Sequence, residues 1–284
     1  MRLKKSLGQH LLKHKPTLRR IVEAAGVGPG DPVLEIGPGG GALTLALLEA
    51  GARVAAIEKD DRFAGALAAR AAADPALPLL VIHEDALHAD LDAAVARLGL
   101  GQVRVIANLP YNVGTPIVLR LLDRPDLFCG IVALLQDEVA QRLAAEPGGA
   151  ARGSLSVHCQ MRAETRLLFP VKPELFSPPP RVMSRLVRLC PRQDGPPHAV
   201  QDPGVFDRIV RGGFEHRRKT CYNSIRFSLK SGACDSLAPG PLQRDFVDEL
   251  FRIAELDTAV RPHCVTNAQW AALANAAAHL IANA

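Results

Sequence analysis

Cysteine is scarce and unpatterned in this 284-residue chain: the six residues stand singly at 129, 159, 190, 221, 234 and 264. No Cys-x-x-Cys occurs. That argues against a zinc site or a disulfide framework, and for a reducing, cytoplasmic setting with no metal. No apolar run approaches the roughly 18 residues of a membrane span. No acid precedes Glu23, so the N-terminus has the basic composition of a transit peptide, yet Gln9, His10, Lys13, His14 and Lys15 break up any secretory apolar core. The segment reads as part of the mature protein. There is no internal repeat and no low-complexity tail beyond alanine enrichment.

What is present is apolar material for one large domain, or a large and a small one: 48% of residues are hydrophobic and 22% charged. Lys plus Arg number 34 against 29 acids, a net +5 with a pI near 9.0. That favours a polyanionic partner without requiring one, and for +5 alone ordinary surface charge is the better explanation.

From Asp31 to about Leu189, short β-rich runs alternate with Ala/Leu-rich stretches of helical period. This predicts an α/β fold with a parallel sheet covered by helices on both faces. Strands are predicted at Pro32–Ile36, Arg53–Ile57, Leu79–Ile82, Val103–Ala107, Gly130–Leu135 and Leu186–Leu189, with helices over Ala42–Ala50 and Phe63–Ala73. Pro191–His198 is the linker candidate, rich in Pro, Gly and polar residues. Beyond it Val205–Phe214, Asn223–Lys230, Leu242–Ala254 and Asn267–Ile281 read as helices, the last capped by Thr266 or Asn267. The predicted division is a larger α/β domain over 1–192 and a small all-helical domain over 199–284.

The most informative stretch is Ile106-Ala-Asn-Leu-Pro-Tyr-Asn112. Asn108 supplies a neutral acceptor, the Leu109 carbonyl before Pro110 a second one, and Tyr111 a ring. Together they can grip an exocyclic amine in the plane of an aromatic base, although the same residues also make an ordinary strand-ending turn. Glu35-Ile-Gly-Pro-Gly-Gly-Gly41 lies between the first strand and its helix, where Gly37 and Gly39 let backbone approach a ligand at a helix N-terminus. Glu58, ending the second strand, is placed to bind a ribose diol.

That pattern fits either a dinucleotide or S-adenosylmethionine. Glu35 beside the glycines suits a cationic sulfonium and amino group better than a pyrophosphate. Asp85 after the third strand is an adenine acceptor or a simple N-cap. Phe176, in Glu174-Leu-Phe-Ser-Pro-Pro-Pro-Arg-Val182, is either a second stacking face opposite Tyr111 or a core residue beside a proline connection. Arg217, Arg218 and Lys219, with Arg208, Arg211, Arg226 and Lys230 in the neighbouring sequence, form a phosphate-binding cluster or a solvated helix start.

Taken in order, these motifs resemble the ribosomal RNA adenine dimethyltransferases (the KsgA group) and, more distantly, the Erm resistance methylases, over almost the whole chain. Lys4–Leu12 resembles the N-terminal cofactor motif, Glu35–Gly41 the glycine motif and Ile57-Glu58 the ribose motif. Glu84–Ala86 resembles the adenine motif, Asn108–Tyr111 the catalytic motif, Phe176–Ser184 the target-side motif, and Glu215–Thr220 with Asn223-Ser224 a motif of the helical domain.

The resemblance implies a Rossmann-like methyltransferase sheet and S-adenosylmethionine as donor, with S-adenosylhomocysteine as product. It implies His10, Leu12, Gly37, Gly39, Glu58, Asp85 and Asn108 as cofactor contacts, with Asn108, Leu109, Pro110, Tyr111 and Phe176 holding the target adenine. It also implies transfer of four methyl groups to two adjacent adenosines near the 3′ end of small-subunit RNA in an immature subunit, by a monomeric enzyme whose helical domain recognises the particle. Departures from the family pattern are His10-Leu11, Cys221-Tyr222 and His263-Cys264. Rival readings are a non-enzymatic assembly factor, a large-subunit Erm-type enzyme, a DNA adenine methylase and a dehydrogenase.

Overall fold

A computed structural model describes residues 10–99, 101–216, 218–230 and 243–283. In chain order the elements are β1 (Leu11–Leu12), α1 (Lys15–Ala25), β2 (Pro32–Ile36), α2 (Ala42–Glu49), β3 (Arg53–Glu58), α3 (Asp61–Ala73), β4 (Leu79–His83), α4 (Leu91–Ala96), β5 (Val103–Asn108), α5 (Gly114–Leu122) and β6 (Phe128–Gln136). Then follow α6 (Asp137–Leu143), α7 (Ser154–Arg162), β7 (Ala163–Val171), β8 (Phe176–Ser177), β9 (Ser184–Pro191), α8 (Pro203–Glu215), α9 (Cys221–Lys230), α10 (Gln243–Ile253) and α11 (Asn267–Ala282).

Seven strands form one sheet in the order β4-β3-β2-β5-β6-β9-β7, flanked by helices, and β1 pairs antiparallel with β8. β4, β3, β2, β5 and β6 run parallel; β9 pairs antiparallel with both β6 and β7. The sheet is therefore mixed, where the sequence pattern predicts a parallel one. The reason is connectivity. Parallel neighbours need a crossover, whereas β9 returns beside β6 from the far edge after β7.

The central strands are apolar because both sheet faces are covered: Val33, Leu34, Val105, Ile106, Ala133 and Leu134 have no exposed surface. Helix starts and ends follow local chemistry. α1 has Pro in its first turn and ends on Gly26 in the left-handed region (φ 65°). Asp60 caps α3 by accepting from the Arg62 N–H, and Thr266 with Gln269 closes a capping box on α11.

The chain divides into two compact units, residues 1–141 with 163–193 and residues 142–162 with 194–284. The sequence boundary of 1–192 against 199–284 is thus corrected in one segment. Residues 142–162 group with the helices because α7 buries Val157 and Met161 in a core with Val205, Phe206, Ile209 and Trp270. Arg152 ties that segment down by donating to the Val265 carbonyl and the Asn267 side chain. Within the helical unit α8 and α11 approach so closely that a Cβ on Gly213 would lie 2.3 Å from the Trp270 ring. No helix among the described residues is long and apolar enough to cross a membrane.

Candidate active site at the strand-order reversal

The sheet order reverses between β2 and β5, and open α/β sheets bind ligands outside the carboxyl ends of strands at such a point. Glu35 and Ile36 end β2 and Glu58 ends β3. Asp85 follows β4 by two residues, and Asn108 ends β5. Register brings them to one level, with Ile36 opposite both Ile57 and Ala107, and Glu58 opposite His83. The cleft there is lined by His10, Gly37, Gly39, Glu58, Lys59, Asp85 and Asn108 through Tyr111, among others. An adjoining cavity reaches Leu12, Glu35 and Asn108.

The glycine turn is shaped by backbone that side chains would obstruct. Gly39 has φ 52° and Gly41 φ 79°, and a Cβ on either would meet a leucine methyl, of Leu11 or Leu67, at 2.7 Å. The Gly39 N–H donates to Glu58 Oε2 at 2.8 Å and the Asp60 N–H to Oε1 at 2.7 Å. Glu58 is buried, and burial raises its pKa while the two N–H bonds oppose the shift.

Glu35 is 1% exposed and one of its carboxyl oxygens has no hydrogen-bond partner. Burial pushes its pKa up to about 8, with the nearby Thr44 hydroxyl lowering it and the Glu58 charge raising it. Thr44 and Glu35 nonetheless lie outside good hydrogen-bond geometry. A buried carboxyl lacking a donor is suited to a cationic ligand, which would draw it into the charged form.

Asp85 behaves partly as the turn cap that its sequence position allows. Oδ1 accepts from the Leu87 N–H at 3.0 Å, and Oδ2 is held by Lys59 at 2.7 Å, which holds its pKa below the usual carboxylate range. Lys59 has no sequence motif to mark it. Only the fold, which sets β3 beside β4, puts it there.

Asn108 donates its amide NH2 to the His10 carbonyl at 2.9 Å. Only one of the two amide orientations makes that bond, so Oδ1 is left as an acceptor. The Leu109 N–H is anchored on the Leu134 carbonyl, and the Val113 N–H goes to the Pro110 carbonyl rather than to that of Leu109. Tyr111 is half-buried, its hydroxyl 2.5 Å from Ser184 Oγ and its phenol pKa raised by burial. Its ring lies 5.3 Å from that of His10, tilted by 31°. His10 is held by an Nδ1–H bond to the Pro178 carbonyl at 2.9 Å. Ser184, fully buried at the start of β9, is the Tyr111 partner that sequence reasoning did not single out; its place directly after the proline loop was the available signal.

Phe176 is 4% exposed and packs in the core with Leu12, Leu18 and Val171, pinned by the pairing of Leu12 with Phe176 between β1 and β8. Of the two readings of Phe176, its packing is that of a core residue. Leu12 is likewise core through its side chain, although it borders the adjoining cavity.

In the helical unit Arg218 and Lys219 lie exposed in the turn between α8 and α9, while Arg217 and the Lys230 side chain lie outside the described residues. Arg211 is paired with Asp207 at 2.7 Å, so it adds less to the cluster than its charge suggests. No group of residues among those described is fit to hold a metal ion.

Known proteins bear directly on this geometry. A family model described as "Ribosomal RNA adenine dimethylase" matches residues 1–245. "Ribosomal RNA small subunit methyltransferase A" of Magnetococcus marinus is 41% identical over 271 residues, covering 95% of this chain and 90% of the relative. Among solved structures, a dimethyladenosine transferase from Plasmodium falciparum gives a TM-score of 0.73 at 24% identity, covering 93% of this chain and 96% of that one. The 23S rRNA methyltransferase ErmE gives 0.64, also at 24%, covering 94% and 98%. Those two structures speak for the fold alone.

Proposed function

The chain belongs to the ribosomal RNA adenine dimethylase family, and from that premise we propose that it dimethylates the N6 amines of two adjacent adenosines near the 3′ end of small-subunit ribosomal RNA. The donor is S-adenosylmethionine and the product S-adenosylhomocysteine. The substrate is an immature small subunit, and the protein acts as a monomer in the cytoplasm. The observation that carries this reading is the Asn108 amide, oriented by the His10 carbonyl so that its oxygen accepts.

An adenine N6 amine is a weak nucleophile because its lone pair is delocalised into the ring. The protein's task is to align that amine and to stabilise charge developing on nitrogen, rather than to supply a strong base. The Asn108 oxygen and the Leu109 carbonyl accept from the amine and draw it toward tetrahedral geometry. Tyr111, braced by Ser184, stacks on the base, which must leave its helix to reach the cleft. The donor's sulfonium supplies an already activated methyl group. His10, Leu12, Gly37, Gly39, Glu58, Asp85 and Asn108 hold that donor, with Glu58 at the ribose and Glu35 beside the cationic end. The sheet unit is the catalytic part. The helical unit, through Arg217, Arg218 and Lys219, recognises the ribosomal particle.

An Erm-type activity on large-subunit RNA uses the same fold, as the ErmE likeness illustrates. The name carried by the 41%-identical relative favours the small subunit. Incubating purified protein with labelled S-adenosylmethionine and small subunits lacking the modification should label two adjacent adenosines, mapped by primer extension. Label confined to large-subunit RNA, or none, would overturn the proposal.

A further inference from the structure

We propose that Phe227 is a stacking platform for one unpaired base of the ribosomal RNA, with Lys219 and Arg218 taking the phosphates beside it; the inference rests on the RNA substrate proposed above. α9 buries Cys221, Ile225, Ser228 and Leu229 against the helical core, which turns Phe227 outward. Phe227 is 44% exposed, and it is the one aromatic among the large apolar side chains left exposed in the described residues.

Its surroundings are polar and cationic. The Lys219 ammonium stands 5.2 Å from the ring centroid, and the His216 ring meets it edge-on at 5.7 Å and 76°. Both come from the turn that also carries exposed Arg218. At that distance the ammonium is attracted to the ring yet retains the reach to swing to a phosphate. A protein-docking surface would set such a ring within a wider apolar patch. An aromatic ring beside a cation is instead the arrangement that binds unpaired nucleotides, the ring taking the base and the cation its backbone. Neither charge nor ring alone does this: cations without a ring give only salt-sensitive, unoriented binding.

The test is equilibrium binding of the whole protein to a protein-free fragment of the 3′ region of small-subunit RNA, and in parallel to the intact particle. Phe227→Ala should weaken both by about tenfold, within the range that stacking one base supplies, with the salt dependence unchanged because no charge is lost. Phe227→Trp should restore affinity, and its new indole emission should be quenched by RNA over the constant background of fully buried Trp270. Phe227→Ala binding like wild type, or Phe227→Trp neither rescuing nor quenching, overturns the proposal. Weaker binding to the particle with unchanged binding to free RNA also overturns it and assigns the ring to a protein partner. If wild type itself binds no small-subunit RNA, the proposed function fails together with this inference; if wild type binds and methylates while Phe227→Ala does so equally, only this inference fails.

Discussion

The cleft at the strand ends and the turn between α8 and α9 treat charge in opposite ways. The cleft gathers Glu35, Glu58 and Asp85, two of them buried, around a neutral amide. The turn presents Arg218 and Lys219 to solvent, Lys219 against an exposed ring. In a buried site each group costs desolvation, so geometry is enforced by backbone N–H bonds such as those on Glu58. At the surface, cations cost little and are weakly oriented, which suits long-range attraction to a polyanion. The difference teaches that one region should govern turnover and the other encounter, and substitutions can separate the two.

The largest expected effect is in the cleft. Asn108→Ala should lower kcat by about 10²- to 10³-fold, the scale for losing one acceptor or donor aligned on the reacting centre, while RNA affinity stays within about twofold. Equal losses in both, measured by single-turnover methylation and by RNA titration, would erase the division. Next comes the surface: neutralising Arg218 and Lys219 together should cut RNA affinity about tenfold at moderate salt. It should also flatten the log–log salt slope by about 0.7 to 0.9 per lost phosphate contact, with cofactor affinity untouched. An unchanged slope would remove the turn from the RNA interface.

A smaller effect tests whether the regions are independent. Gly213→Ala drives a methyl into the Trp270 ring and should destabilise the helical unit by about 1–3 kcal/mol. Hydrogen exchange should then speed up in α8 and α11 while the strands around Glu58 keep their protection. Loosening of both would show the comparison to be one of chemistry only.

Per pH unit, the smallest effect is the pH dependence of Glu35. Its folded pKa of about 8 lies above the ordinary 4.5, so across that window the folded state keeps a proton that the unfolded chain has released. Stability therefore falls as pH rises from about 4.5 to about 8, by at most about 1.4 kcal/mol per pH unit from this group. Glu35→Gln should flatten that slope in urea melts taken at several pH values. A slope unchanged by the substitution would mean that the carboxyl is not the group responsible.

Much of this was legible in the sequence because motif residues act through local geometry. The glycines, Glu58 and Asn108 follow strands whose apolar runs are plain, and the Thr266 cap and the helices from 205 onward are set by periodicity. What was not legible came from pairing across long separations. Phe176 is core because β8 lies on β1, and Lys59 reaches Asp85 because β3 lies on β4. The antiparallel β9–β7 edge and the transfer of α7 to the helical unit likewise depend on contacts that no local pattern records.

The interleaved path of the chain has a consequence for its synthesis. β6 emerges from the ribosome before the 142–162 excursion, yet its sheet neighbour β9 follows only after that excursion and β7. A nascent chain halted anywhere before residue 184 therefore exposes the hydrogen-bonding edge of β6 and, until the later helices arrive, the apolar side of α7. No single stop codon or protease cut can release the sheet unit free of residues 142–162. A minimal catalytic fragment would have to be built by replacing 142–162 with a short bridge, not by truncation.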